Sequence, residues 1–388
     1  MVFSDRVPDQ LAPNRIASAR AHADVRYDLT VSNPTACGIA YPAELLQPLA
    51  DRAGFVYRPD ARGLPSARAL VAREYLRHGI TVDPENIVLT ASTSEAYSFI
   101  FKLLCNSGDA VLVPAPSYPL FEYLARIESV RIVPYDLDAE AGWRIRFDEL
   151  LNAPPEVRAV IVVHPNNPTG SFVHPHDLAS VRELARERDW ALVADEVFLD
   201  YPLADSPHSA SCAGNGDVLT FTLGGLSKSV GLPQLKLAWI VVSGPDGCVQ
   251  SALDRLEFIA DTFLSVATPV QLALPHLLHA GSDVRAAIQT RCRQNLATLL
   301  ELVPAVPAVR VLPPGGGWSA VLRIPSVLPE EEFVIELLTE ASVAVQPGFF
   351  FDFPQEGYLV VSLLPEPAIF RAGIARVLAR LRRHLGAG

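Results

Sequence analysis

The sequence predicts an α/β fold, a three-layer α/β/α arrangement on a mainly parallel sheet, with a second, smaller α+β domain. Three observations predict it. From about residue 85 to 245, short β-branched runs alternate with helical patterns. Several of those runs are apolar at successive positions, the mark of strands covered on both faces. After about residue 283 the texture changes to a long helical segment followed by hairpin-like stretches.

The candidate strands of the first region are "NIVLT" (86–90), "DAVLVP" (109–114), "VRIVPY" (130–135), "RAVIVVH" (158–164), "WALVAD" (190–195), "VLTFTL" (218–223) and "LKLAWIVV" (235–242). Between two of them lies "PHDLASVRELARERD". There Leu178, Val181, Leu184 and Ala185 fall on one helical face, with Pro175 and Asp177 near the start. Strand–helix alternation of this length predicts a parallel sheet flanked by helices. Beyond it, "VRAAIQTRCRQNLATLLELV" reads as a helix and "VRVLPPGGGWSAVLRIP" as a hairpin. A helix ("EEEFVIELLTEA"), another strand pair and a C-terminal helix follow. This division places a large domain at residues 49–283 and a smaller one at 1–48 with 284–388. The sequence shows no internal repeat.

Bulk properties narrow the function. Hydrophobic residues at 49% and charged residues at 19% describe an ordinary globular core. A net charge of −11 argues against non-specific binding to nucleic acid or anionic membrane. The five cysteines are odd in number and scattered, without zinc or redox spacing, so reduced thiols in a cytoplasmic protein are expected. No stretch approaches the roughly 18 apolar residues of a membrane span.

Ligands of open α/β sheets sit beyond the carboxyl ends of the strands. Polar features fall at five such ends here: "TASTSEA" (90–96), "PAPSYPLF" (114–121), "HPNNPTG" (164–170), "ADEVF" (194–198) and "GGLSKS" (224–229). The first is a helix start able to cradle an anion. The others bring an aromatic (Tyr118), an amide (Asn167), an acid (Asp195) and an amine (Lys228). Lys228 has no charged neighbour until Lys236, and Gly224, Gly225 and Gly231 flank it. Small uncharged surroundings suit a lysine whose amine must be partly deprotonated.

In the order and spacing of these motifs the chain resembles the fold-type I pyridoxal-phosphate enzymes, specifically the class I/II aminotransferases, over nearly its whole length. The resemblance implies that the cofactor is pyridoxal 5'-phosphate and that Lys228 bonds to its aldehyde. Asp195 would keep the ring nitrogen protonated, Asn167 would hydrogen-bond the ring oxygen, and Tyr118 would stack on the ring. Thr93, Ser94 and Ser227 match phosphate-binding positions, and Lys236 stands where an arginine is usual. Tyr57 matches a tyrosine that reaches the neighbouring subunit's phosphate, which implies a homodimer. The expected activity is amino-group transfer between an amino acid or related amine and a 2-oxo acid, with Lys228, Asp195 and Tyr118 as catalytic residues.

Taken singly, each motif has a blander reading. "NNPTG" is common turn punctuation, "DE" can simply end a strand, and a lysine after glycines is usually a loop residue. Their joint order carries the assignment. His174 and His176 lack a third ligand at suggestive spacing, so no metal is expected. "GGLSKS" misses the last glycine of a hydrolase nucleophile elbow. "PPGGGW" lacks the strand–helix context of a dinucleotide fingerprint.

The sequence departs from the family at four positions. Phe198 replaces a usual tyrosine, Gly225 a common serine, and Lys236 an arginine, exchanging a planar fork for a point charge. Val360, in "GYLVVSLLPEP", replaces the arginine that clamps the substrate's α-carboxylate. Either another cation such as Arg323 does that work, or the substrate lacks an ordinary free α-carboxylate. The vacancy keeps open a lyase, cyclase or β-replacement enzyme on the same scaffold. A non-catalytic cofactor-binding paralogue is disfavoured by the presence of Lys228, Asp195 and Asn167.

Overall fold

The structure, a computed structural model, describes residues 3–8, 11–204 and 210–386. The chain enters through helix α1 (Arg15–His22), whose first turn is closed by Asn14 accepting the Ala17 N–H at 2.8 Å. A two-residue strand, β1 (Tyr27–Asp28), follows. Helix α2 (Pro65–Leu76) begins on a proline, which presets the helical φ where no intrahelical N–H bond is lost.

The large sheet is then laid down as β2 (Ile87–Thr90), β3 (Ala110–Ala115), β4 (Arg131–Asp138), β5 (Arg144–Ile145), β6 (Val157–Val163), β7 (Ala191–Asp195), β8 (Thr220–Gly225) and β9 (Ala238–Ser243). Its helices are α3 (Thr93–Leu104), α4 (Phe121–Ile127), α5 (Asp148–Leu151), α6 (Pro175–Arg188), the single turn α7 (Leu226–Ser229) and α8 (Asp246–Phe263). Spatial order is β2-β9-β8-β7-β6-β3-β4-β5. The run from β8 through β7, β6 and β3 to β4 is parallel, and β9 is antiparallel to both its neighbours.

Successive apolar residues in these strands serve two cores. Val111, Ile161 and Val193 join α3 and α8 on one face of the sheet. Leu112, Val160, Val162 and Leu192 join Val181 and Leu184 of α6 on the other. Both faces are therefore covered, as the unbroken apolar runs require.

A second body of structure contains α9 (Thr268–Leu302), β10 (Arg310–Leu312), β11 (Ser319–Arg323), α10 (Glu330–Ala341), β12 (Val343–Ala344), β13 (Gln346–Pro347), β14 (Tyr358–Ser362) and α11 (Pro367–His384). Its antiparallel sheet has the order β10-β11-β14-β13. β1 pairs in parallel with β12, so the N-terminal segment is bound to this part of the chain.

Two boundaries differ from the sequence reading. The expected helix beginning near 283 is the second half of α9, which starts at Thr268 and carries Pro275 inside it. The strand expected at 235–242 begins only at Ala238, because Pro233–Leu235 forms a tight turn and Lys236 is left-handed at φ 52°. Among the described residues, no single helix is long and apolar enough to cross a membrane.

Candidate active site

The carboxyl ends of β2, β3, β6, β7 and β8 converge on a cavity of about 200 Å³. Six of the nine residues expected to bind the cofactor line it: Thr93, Tyr118, Asn167, Asp195, Ser227 and Lys228. Each is held by local structure that the sequence dictates.

Thr93 opens α3. Ser92 caps the helix by accepting the Glu95 N–H at 3.1 Å, and Glu95 reaches back to the Ala91 N–H at 2.7 Å. These two bonds consume the Glu95 and Ala91 amides and leave the first-turn amides of Thr93 and Ser94 for a ligand. The loops bearing Tyr118 and Asn167 are tied together by the neighbour, Asn166. Its amide accepts from Ser117 Oγ at 2.9 Å and donates to the Pro116 carbonyl at 2.9 Å. Asn166 is thereby spent on structure, and Asn167 is the amide in the cavity. Gly170 closes this loop at φ 68°, and a Cβ there would lie 2.4 Å from Pro314. That close approach lets the Gly316 N–H reach the Gly170 carbonyl at 2.9 Å. The "PPGGGW" stretch is therefore a docking turn, and it delivers Trp318 into the cavity.

Asp195 ends β7 with its carboxylate buried. Oδ2 accepts from the Tyr97 hydroxyl at 2.9 Å and Oδ1 from the Val197 N–H at 3.2 Å. Burial raises its pKa above the ordinary carboxylate value. The Val197 amide, the Tyr97 hydroxyl and the Lys228 charge pull the other way.

Lys228 sits in α7, a turn fixed from several sides. The Leu226 N–H meets the Leu237 carbonyl at 3.0 Å, and the Tyr201 hydroxyl donates to the Lys228 carbonyl at 2.5 Å. Gly231 turns the chain away at φ 65°, close enough for the Tyr41 hydroxyl to reach its carbonyl at 2.7 Å. The Lys228 ammonium nitrogen lies 4.9 Å from the Trp318 ring centroid and 5.3 Å from that of Phe198. No carboxylate among the described residues forms a salt bridge with it. Burial lowers its pKa, and Asp195 opposes that only in part. Such an amine is readily deprotonated and nucleophilic.

Three residues named from sequence do not line the cavity. Ser94 lies in the same helical turn as Thr93. Lys236 is exposed, two residues from the lining Ala238. Tyr57 is 75% exposed on a loop bordering a different pocket. Of the departures, Phe198 and Gly225 do line the cavity. Val360 is buried among Trp143, Val321, Phe351, Phe353 and Tyr358. Arg323 is ion-paired with Glu140 and lies over the Tyr358 ring. His174, at the start of α6, accepts the His176 N–H at 3.2 Å.

Sequence reading missed Tyr97, Ser32, Trp318 and Ser319 as parts of the site. Trp318 and Ser319 follow the glycine turn it did single out, which was the available signal.

The donor set is one amide, one helix start, a buried acid and a buried amine of low basicity. It suits an aromatic aldehyde carrying a ring nitrogen, a ring oxygen and an anionic group. The chemistry of these residues thus fits pyridoxal 5'-phosphate.

Comparison with known proteins agrees with this geometry. The profile of the family described as aminotransferase class I and II matches residues 33–371. The glutamate-pyruvate aminotransferase AlaA of Escherichia coli is 27% identical over 349 residues, covering 87% of this chain and 85% of that one. An alanine aminotransferase of Mycobacterium tuberculosis is 28% identical over 365 residues, covering 90% and 84%. Among solved structures, an aminotransferase from Escherichia coli superposes with a TM-score of 0.86 at 24% identity over 98% of both chains. An alanine aminotransferase from Pyrococcus furiosus gives 0.84 at 24% identity over 92% of both.

Proposed function

The chain belongs to the class I and II aminotransferase family, and on that premise we propose how its residues serve the activity. It is a pyridoxal-phosphate-dependent aminotransferase, moving an amino group between an amino acid or related amine and a 2-oxo acid. When bound, the cofactor supplies an aldehyde that takes up the amino group and a conjugated ring that accepts electrons from the substrate's α-carbon.

Lys228 is the residue that holds the aldehyde. Once an incoming amine takes its place, the Lys228 side-chain nitrogen would be the base that takes up and moves the substrate's α-proton. Its lowered basicity, with burial outweighing the pull of Asp195, suits both tasks. Asp195 would hold a proton on the ring nitrogen, and Tyr97 keeps that carboxylate oriented. Tyr118 would cover the ring and Asn167 would donate to its oxygen. The first-turn amides of α3, with Thr93, Ser94 and Ser227, would receive the phosphate, and Lys236 would add charge from outside. Tyr57, exposed on its loop, reaches the phosphate site of a second copy in a homodimer. Residues 49–283 form the cofactor-binding domain, and 1–48 with 284–388 the small domain. A cytoplasmic location agrees with five free cysteines.

One observation carries this reading: a buried lysine that makes no salt bridge among the described residues shares a cavity with a buried carboxylate at neighbouring strand ends. Borohydride reduction of the cofactor-loaded enzyme tests it. The reduced cofactor should map to Lys228 by mass spectrometry, and Lys228→Ala should lose the visible band. A label on another lysine refutes the assignment.

A further inference from the structure

Two charged side chains line the active-site cavity among the described residues, Lys228 and Asp195. The proposed function commits both to the cofactor. Among the described residues of one chain no other cation lines the cavity, and Val360, where the resemblance expects an arginine, lies in apolar surroundings. On β11 and β14, the residues Ser319, Val321 and Arg323 share a face with their register partners Ser362, Val360 and Tyr358. Ser319 lines the cavity. Beyond it, Val321 and Val360 are sealed under Trp143, Phe351, Phe353 and Tyr358. The rings of Phe353 and Tyr358 stack at 4.5 Å, and Trp143 meets Phe353 edge-on at 6.0 Å. Arg323 lies past this aromatic plug, over Tyr358 and already paired with Glu140. Charge is therefore available on that face only where the substrate is not.

The rest of the lining that the cofactor does not claim is neutral: the hydroxyls of Ser32 and Ser319, and the rings of Phe198 and Trp318. A carboxylate brought into such surroundings loses its hydration with no cation to replace it, whereas a hydroxyl or alkyl group loses little.

We propose that the amino substrate for which this enzyme is built carries no carboxylate on its amino-bearing carbon, being a neutral amine or amino alcohol. The proposal rests on the aminotransferase reading above; the same cost falls on a 2-oxo acid in this cavity, so the carbonyl partner it favours likewise carries no carboxylate on its carbonyl carbon. The half-reaction balances with water as the only further reactant: a primary amine with an α-hydrogen, the Lys228-bound cofactor and one water give a carbonyl product, the cofactor's primary amine and free Lys228. The nitrogen and the α-hydrogen pass to the cofactor carbon, and the product's carbonyl oxygen comes from the water. Ser32 and Ser319 meet the substrate's hydroxyl, and Phe198 and Trp318 its hydrocarbon.

The test uses cofactor-loaded enzyme and follows the visible spectrum on mixing with L-alaninol, 2-aminopropane, L-alanine or L-glutamate. The neutral amines should convert the cofactor with an apparent second-order rate at least about ten-fold above that of the amino acids. A second, non-turnover measurement titrates 2-amino-2-methylpropan-1-ol against 2-methylalanine, which have no α-proton to lose. The alcohol should bind at least about ten-fold more tightly. Val360→Arg should shift both ratios toward the amino acids if circular dichroism shows it folded; a folded variant with unchanged ratios counts against the proposal. In the wild type, faster conversion by L-alanine or L-glutamate, or tighter binding of 2-methylalanine, overturns it. Spectra that respond to none of the compounds overturn the aminotransferase reading itself, and this proposal with it.

Discussion

The Tyr97 hydroxyl donates a 2.9 Å hydrogen bond to Asp195 Oδ2, joining one turn of α3 to the end of β7 across 98 residues of sequence. Both groups are buried, so neither has water as a substitute partner. The bond favours the ionised carboxylate and opposes the desolvation that otherwise raises its pKa.

Tyr97→Phe should therefore raise the Asp195 pKa further and weaken its hold on the ring nitrogen's proton. Hydrogen bonds to charged groups contribute roughly 1.5–3 kcal/mol, so kcat/KM should fall about ten- to hundred-fold. The acid limb of the rate profile should move to higher pH, a change that mere loosening of α3 does not produce. An unmoved acid limb in a folded variant would show that Tyr97 does nothing for Asp195.

What was legible in the sequence follows from the range of the forces involved. The sheet strands were readable because burial on both faces writes itself into consecutive β-branched residues. Asp195, Asn167 and Lys228 were readable because strand ends are marked locally by turn chemistry. Tyr97 was not, since a tyrosine one turn into an apolar helix looks like core, and only the tertiary fold brings its hydroxyl to β7. Ser32 and Ser319 were hidden for the same reason, as they come from separate parts of the chain. The start of α9 was obscured by Pro275, which ordinarily argues against helix continuation yet sits inside this 35-residue helix. Lys236 carries the right charge eight residues after Lys228, but its left-handed backbone and exposure were not written in that spacing.

Phe198 provides a spectroscopic prediction. Its ring lines the cavity, packs edge-on to Trp318 with centroids 5.2 Å apart, and faces the Lys228 nitrogen. It offers no hydrogen-bond donor. A hydroxyl placed there would bond an oxygen of the bound ring, in competition with a proton on the Lys228 nitrogen. In Phe198→Tyr the visible band should lose its protonated form at lower pH than in the wild type. Equal titration midpoints in the two proteins rule out this role for position 198.

Asp200 anchors the segment that follows the active-site aspartate. Its carboxylate meets Arg77 at 3.0 Å, Arg285 at 3.2 Å and His78 at 3.3 Å. Burial works to raise its pKa, but His78, Arg285 and Arg77 overcome that and hold it down at about 2. A depressed folded-state pKa means stability that is present above the unfolded value near 3.8 and lost as pH falls through about 2. Asp200→Asn should cost about 2–3 kcal/mol at neutral pH, because Arg77 and Arg285 lose one of two shared counter-ions, Glu74 being the other. The deficit should shrink as pH falls below about 4, measured by urea unfolding. A deficit independent of pH would place the effect in packing.

Glu196, beside Asp195, titrates in the opposite sense. It is buried, and its oxygens accept from the Cys212 N–H and the Ser211 hydroxyl, each at 2.5 Å. Desolvation outweighs those bonds and raises its pKa to about 7. For an acid whose folded pKa is raised, the contribution to stability is fully present below the unfolded value of 4.5 and lost as pH rises through about 7. The wild type should therefore lose on the order of 2–3 kcal/mol between pH 5 and pH 8 from this group alone. Glu196→Gln keeps the shape, can accept from Cys212 and donate to Ser211, and carries no charge. Its unfolding free energy should be nearly flat over that range, near the wild type at pH 5 and above it at pH 8. Parallel curves for the two proteins would mean that the Glu196 carboxyl stays in one protonation state throughout.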